Sequence, residues 1–390
     1  GFYDKISLMK NFYIKTISKN IDEELEQIGF DRSYIGKGKW KFEYKNLKIF
    51  DLNIPQANIL KQTAISVGAD CAVHKNIVTA KIDKTDCILG GSFSQLKKIS
   101  EKLKYQPFKL KLLGEEIEQI IFNKFLPIQL KDTIFDFSRP YIVGILNLGQ
   151  SFSDGYPDIE EAKKHLNEMI EDGADMIDIG AESTRPYSSP VSEEEQLKKI
   201  VPILEYINSN NIRIPISIDT RSSKVADICL GLNADLINDV SGLDYDKEMI
   251  NVLVKHDAPV IIQHSSATPD VMQNYTNYDN LVEDILKSLI EKANFAQEHG
   301  LNSIIIDVGI GFGKTIKQNL ELLDRIEEFS IFPQMVGVSR KSFLQAETLE
   351  QKDILTLALN SSLIDKGVNF LRVHNVKLHK DLFDLKVFKK

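Results

Sequence analysis

Tyr141-Ile142-Val143-Gly144-Ile145-Leu146-Asn147 is an apolar run that stops on a carboxamide, and the same pattern recurs down the chain. Short apolar runs follow at 175–179, 214–218, 235–237, 259–263, 303–306, 335–338 and 369–371, each succeeded by an amphipathic stretch of about 12–20 residues. Runs without alternation suit a parallel sheet covered by helices on its outer face. Eight β/α units in about 250 residues match a (β/α)8 TIM barrel, whereas an open doubly wound sheet normally needs fewer strands.

Upstream of this repeat the chain changes character. Residues 1–130 carry 21 Lys and Arg against 15 Asp and Glu, leaving 27 against 41 for 131–390. We therefore expect a small α+β accessory domain over 1–130 and a catalytic barrel over 131–390. In the first part, Asn20 reads as an N-cap for a helix stopped by Gly29, and the alternation of 39–52 around Lys45-Asn46 reads as a hairpin. Stretches 55–67, 92–104 and 115–122 read as helices, and 77–82 and 86–89 as strands. Asp70-Cys71-Ala72-Val73-His74 offers a Cys and a His, but no third partner is identifiable, so it reads as ordinary structure.

With 390 residues, 43% hydrophobic and 27% charged, the chain is globular. Its three cysteines lack metal or disulfide spacing, and no run approaches the roughly 18 apolar residues of a membrane span. A cytoplasmic protein is expected, with Met9 as the natural start and 1–8 a foreign leader. The acidic barrel argues against a nucleic-acid surface there.

Polar residues end the strands: Asn147, Asp178 with Glu182-Ser183-Thr184-Arg185, Asp219, Asn238-Asp239, Gln263-His264, Asp307, Ser339-Arg340-Lys341, and Arg372 with His374. In a barrel these tips share one mouth, the face where active sites of this fold lie. Asp219, Asn238, Asp307 and Lys341 suit a flat heterocycle edged with N–H and C=O groups. Arg372 and His374, near the last helix, suit a phosphate or diphosphate. Asn147 is a neutral oxygen donor suited to magnesium shared with phosphate oxygens and water. The run Gly309-Ile310-Gly311-Phe312-Gly313-Lys314-Thr315 imitates a P-loop, but Val308 stands where that motif needs its first glycine, so nucleotide hydrolysis is rejected. These glycines instead shape a loop carrying Phe312 over the mouth.

At these residues the barrel resembles dihydropteroate synthase. The motifs run in order: Gly144-Ile145-Leu146-Asn147 with Ser151-Phe152-Ser153-Asp154-Gly155, Asp178 to Pro186, Ser217-Ile218-Asp219-Thr220, Ile237-Asn238-Asp239-Val240, the glycine-rich run, Ser339-Arg340-Lys341-Ser342-Phe343, and Arg372-Val373-His374. The resemblance implies condensation of 6-hydroxymethyl-7,8-dihydropterin diphosphate with p-aminobenzoate, giving dihydropteroate and diphosphate for folate synthesis. It implies that Asp219, Asn238, Asp307 and Lys341 hold the pterin, and that Asn147, Arg372 and His374 hold the diphosphate with Mg2+. Phe152, Asp154, Thr184, Arg185 and Pro186 would lie on two closing loops, and Phe312, Lys341 and Ser342 would help form the p-aminobenzoate pocket. Phe152, Thr184, Arg185 and Pro186 are assigned to the same pocket, with Asp219, Lys341, Arg372 and Asp154 as the catalytic set. Sulfonamide binding and a homodimer through barrel helices are further expectations from the resemblance. A pterin-dependent methyltransferase and a catalytically silent pterin binder are the alternatives.

Three positions depart from the family pattern. Leu148-Gly149-Gln150 is one residue shorter than usual, Val308 replaces a common proline, and Gln263 replaces a methionine of the pterin floor. None removes a group the chemistry needs, so an active enzyme is expected.

Overall fold

The computed structural model describes residues 15, 17, 19–77, 81–122, 125–149, 155–183, 190–266 and 276–387. It divides into two compact units, Gly1–Lys124 and Phe125–Lys390. Residues 125–130, assigned above to the first body, therefore go with the barrel.

The first unit runs α1 (Ile21–Gln27), α2 (Ile35–Gly38), β1 (Tyr44–Asn53), α3 (Ile54–Ile65), β2 (Asp70–Val73), β3 (Lys84–Ser92), α4 (Phe93–Leu103) and α5 (Leu110–Phe122). Its sheet is antiparallel in the order β1-β3-β2. The alternating burial of β3 places Thr85, Cys87 and Leu89 inward, packed with Leu60 of α3, Leu96 and Ile99 of α4 and Ile117 of α5. Two capping boxes start α3 and α4, Asn53 with Gln56 and Ser92 with Gln95, satisfying N–H groups that a helix start leaves open. Gly114 lets α5 approach α4, since a Cβ there would lie 2.7 Å from the Ser100 carbonyl oxygen.

Several local expectations fail here. In place of the 39–52 hairpin, Lys39–Lys41 form a 3-10 turn and Tyr44–Asn53 one long strand, because β1 finds its partner in β3, with Leu47 opposite Leu89. Asn20 lies at φ 58° and its side chain does not cap α1. Of the strand expected over 77–82, Ile77 sits in a turn, 81–82 are irregular and 78–80 lie outside the described residues, while the Cys71 segment forms β2. The helix expected over 115–122 starts five residues earlier, at Leu110.

In the second unit a hairpin, β4 (Ile128–Leu130) and β5 (Thr133–Phe135), precedes the barrel. The barrel then alternates β6 (Tyr141–Asn147), α6 (Ile159–Glu171), β7 (Met176–Gly180), α7 (Glu193–Ser209), β8 (Ile216–Asp219), α8 (Ser223–Gly231), β9 (Leu236–Asp239) and α9 (Met249–His256). It continues with β10 (Val260–Gln263), α10 (Leu281–Glu298), β11 (Ile304–Asp307), α11 (Ile316–Asp324), β12 (Gln334–Val336), α12 (Leu349–Asp365), β13 (Phe370–Val373) and α13 (Val376–Val387). Among the described residues these eight parallel strands close, β13 pairing with β6 through Phe370 and Tyr141.

Strand periodicity sorts the interior. Ile142, Ile177, Ile218, Ile237, Ile262 and Ile306 face outward and pack with the helices. Tyr141, Val143, Met176, Leu236, Ile261, Ile305, Met335 and Phe370 form the lower inner layer, which the hairpin caps. Phe135 stands edge-on to Tyr141 at 4.8 Å, closing the bottom with aromatic rings. Two residues past Met176, Leu236, Ile261, Ile305 and Phe370 the inner layer turns polar, at Asp178, Asn238, Gln263, Asp307 and Arg372. That step creates the mouth.

Candidate active site

The centre of the mouth is a charged knot. Arg372 on β13 donates through Nε to Asp178 Oδ2 at 2.6 Å and through Nη2 to Asp219 Oδ2 at 2.8 Å. Asn238 Nδ2 donates to the same Asp178 oxygen at 3.1 Å. Strand register builds this cluster, since Gly180 pairs with Asp219 and Asp219 with Asn238. Asp178 is fully buried. Its Oδ1, the Asn238 Oδ1 and the Ser217 hydroxyl have no hydrogen-bond partner among the described residues. Leaving such groups unmade costs about 1–3 kcal/mol each, so the cup is built for a ligand that brings N–H donors.

Asp307 completes the acidic side, its Oδ1 accepting the Gly309 N–H at 2.7 Å. Burial pushes the Asp219 carboxyl up to about 7, opposed by Arg372 and aided by Asp178. Burial raises Asp307 as well, with Lys341 opposing. Lys341 is pulled down to about 8 by burial, with Asp307 opposing. Its Nζ donates to the Ile310 carbonyl and lies 4.8 Å from the centroid of the Phe312 ring. Phe312 packs with Val240 and is nearly buried.

The rim gathers the remaining candidates. His374 is held through Nδ1 by the Ser339 hydroxyl at 2.9 Å, just ahead of α13. Asn147 ends β6, and exposed Ser342 opens the short turn after Lys341. Phe152, Asp154, Thr184, Arg185 and Pro186 lie outside the described residues. The structure thus brings Asp219, Asn238, Asp307, Lys341 and Arg372 together at the mouth. Arg372, expected at the diphosphate, is here paired with two carboxylates of the floor.

Two tip residues point elsewhere. Asp239 has outward parity and accepts from Ser241 and Leu243, capping its own loop. Arg340, at φ 56°, makes a bidentate pair with Asp353 of α12. The sequence reading placed Asp178 at the mouth without assigning it a ligand and overlooked Arg221, whose buried guanidinium pairs with buried Glu182 at 2.9 Å. Glu182 also accepts the Val191 N–H, so this pair ties down the far end of the second loop. Period-two counting back from Gly180 was the available signal for Asp178.

The profile of the pterin binding enzyme family matches residues 143–374, more than half of the chain. A dihydropteroate synthase from Clostridium beijerinckii is 42% identical over 252 residues, covering 61% of this chain and 90% of that protein. The chain belongs to the dihydropteroate synthases of this family. It is a transferase. The solved Yersinia pestis dihydropteroate synthase, in complex with a sulfonamide drug, superposes with a TM-score of 0.64 at 31% identity, over 68% of this chain and 99% of that one. A probable bifunctional folylpolyglutamate synthase/dihydropteroate synthase from Haloferax volcanii is 33% identical over 348 residues. That match covers 82% of this chain, more than Phe125–Lys390 alone can supply, so it reaches into the first unit of this synthase. The chain spans 40% of that relative's length.

For a metal, the donor set is sparse. No group of three or more His, Cys, Asp or Glu side chains is arranged to hold an ion among the described residues. Asn147 at the rim fits only an ion that takes most of its ligands from phosphate and water, which is how magnesium commonly binds.

Proposed function

We propose a residue-by-residue division of labour for the reaction of this synthase, the condensation of 6-hydroxymethyl-7,8-dihydropterin diphosphate with p-aminobenzoate. The observation that carries it is the set of unmet buried acceptors on Asp178 and Asn238, beside Asp219 and Asp307. Pterin N–H groups complete these acceptors, and Lys341 donates to a ring acceptor. Once ring donors occupy Asp178 and Asp219, Arg372 is released toward the diphosphate, which His374 meets at the rim.

The methylene carbon shares developing positive charge with the pterin ring, so its bond to diphosphate oxygen breaks and the leaving group carries away the electron pair. The aniline nitrogen then forms the new C–N bond and loses its proton to solvent. Asp219 favours the cationic ring, Arg372 neutralises the departing group, and Phe312 packs on the aromatic amine with Ser342 at its carboxylate end. Asn147 would hold Mg2+ together with the diphosphate oxygens, and the ion would add positive charge at the leaving group. Excluding water from the reacting carbon is the role that the family resemblance gives to Asp154, Phe152, Thr184, Arg185 and Pro186. A sulfonamide competes by occupying the amine pocket.

A homodimer is supported by α12, which turns Asp353, Thr356 and Asn360 inward while exposing Leu349, Ile354 and Leu355. Three buried, unpaired cysteines support a reducing cytoplasm. Among the described residues no helix is long and apolar enough to cross a membrane.

The test is diphosphate release measured with both substrates and again without p-aminobenzoate. Release matched by dihydropteroate, and dependent on the amine, is expected. Methyl transfer, or pterin binding without product, would instead support one of the two alternatives.

A further inference from the structure

Lys314 occupies the position that gave the glycine-rich run its P-loop look, yet it does not face the mouth. Its side chain is almost wholly buried. The Nζ donates to the Gly309 carbonyl at 2.9 Å and to the Phe312 carbonyl at 2.8 Å, and it lies 3.1 Å from His264 Nδ1. Its N–H groups point at the two carbonyls, and the His264 ring nitrogen fills the remaining direction around it. None is left for a phosphate.

The acceptors are the two ends of one turn, since the Phe312 N–H also returns to the Gly309 carbonyl at 3.1 Å. The rest of the loop is tied as closely. Lys341 takes the Ile310 carbonyl, Tyr278 donates to the Gly313 carbonyl at 3.2 Å, and Asn319 accepts the Gly311 N–H at 2.7 Å. Gly309, at φ 68°, presses on β10 so closely that a Cβ would fall 1.9 Å from the His264 carbonyl oxygen. Phe312 thus stands on a backbone arch whose inner face rests on one lysine.

We propose that Lys314 is a positioning residue for the condensation: by holding the Gly309 and Phe312 carbonyls from beneath, it fixes the Phe312 ring as a wall of the aromatic-amine pocket and takes no part in binding phosphate. This rests on the reading of Phe312 as an amine contact. Removing the amino group leaves the Phe312 carbonyl without this donor and the Gly309 carbonyl with only the Phe312 N–H, so the arch relaxes and the ring loses its place.

The test is a double-mutant cycle on the full-length protein, with KM measured for each substrate. Phe312→Ala and Lys314→Met are each expected to raise the KM for p-aminobenzoate by about tenfold, with kcat and the KM for the pterin diphosphate changed less than about threefold. Combined, they are expected to be no worse than Phe312→Ala alone, because Lys314 acts through that ring. Additive effects, or a rise confined to the KM for the diphosphate, overturn the proposal. If Phe312→Ala leaves the amine KM unchanged, the pocket reading fails and takes the proposal with it. Should Lys314→Met not fold, Lys314→Gln, which keeps shorter-reaching amide donors, is expected to give an intermediate rise in amine KM. No rise overturns the proposal.

Discussion

The two units bury polarity in opposite ways. In Gly1–Lys124 the buried hydroxyls are answered within the unit, Thr63 by the Ile59 carbonyl, Thr85 by the Asp86 carbonyl and Ser100 by Glu118 of α5, and no orphaned buried side-chain atom occurs there among the described residues. At the barrel mouth, by contrast, Asp178, Ser217 and Asn238 keep unmet atoms, and three carboxylates crowd around Arg372 and Lys341. Burial without satisfaction destabilises a fold and survives where a ligand repays it. The contrast therefore locates catalysis in the second unit and leaves the first a satisfied, self-contained body.

The largest effect expected from this contrast is at Arg372. Arg372→Ala leaves Asp178 and Asp219 without their cation, and breaking a buried pair typically costs about 3–5 kcal/mol. We expect kcat/KM for the diphosphate substrate to fall on the order of a thousandfold, alongside a lower melting temperature. Unchanged kinetics would remove Arg372 from the mechanism.

Asp219 should give the next largest effect, with a pH signature. Its folded pKa is raised above the usual carboxylate value to about 7 by burial, so the folded chain binds the extra proton. Its contribution to stability is present below the unfolded carboxylate range and is lost as pH rises through about 7. Pterin binding should run the other way, strengthening over the same window as the carboxylate ionises. Asp219→Asn should flatten both profiles in thermal melts and ligand titrations, whereas a profile that persists would assign the limb elsewhere.

Substitutions in the first unit should separate stability from turnover. Cys71 and Cys87 are buried neighbours in its core, so Cys87→Ala should lower the melting temperature of that unit while kcat and both KM values hold. A changed kcat would give the first unit's core a role in turnover. The smallest effect expected is from deleting residues 1–124, since the Clostridium beijerinckii synthase matches over 90% of its own length with only 61% of this chain. Turnover within about twofold of the intact chain is the predicted result, and its collapse would erase the contrast between the units.

Much of this was legible in the sequence because barrel strands are apolar throughout and end on polar residues. The eight strands and most of the mouth follow from that rule. What was misread involved direction or distance. Asp239 and Arg340 looked like mouth residues until strand parity and a left-handed backbone turned them outward. The first unit's hairpin reading failed because the partner of Leu47 is Leu89, far along the chain, and alternation alone does not name a partner. The β4–β5 plug escaped notice since strands of three residues carry too little periodicity to register.

The most direct test is a titration of the intact chain with the dihydropterin diphosphate, repeated for Asp219→Ala and Asn238→Leu. One site per chain, lost or weakened at least about a hundredfold in both variants, is predicted. Binding undiminished in both would contradict a pterin site built from these strand tips.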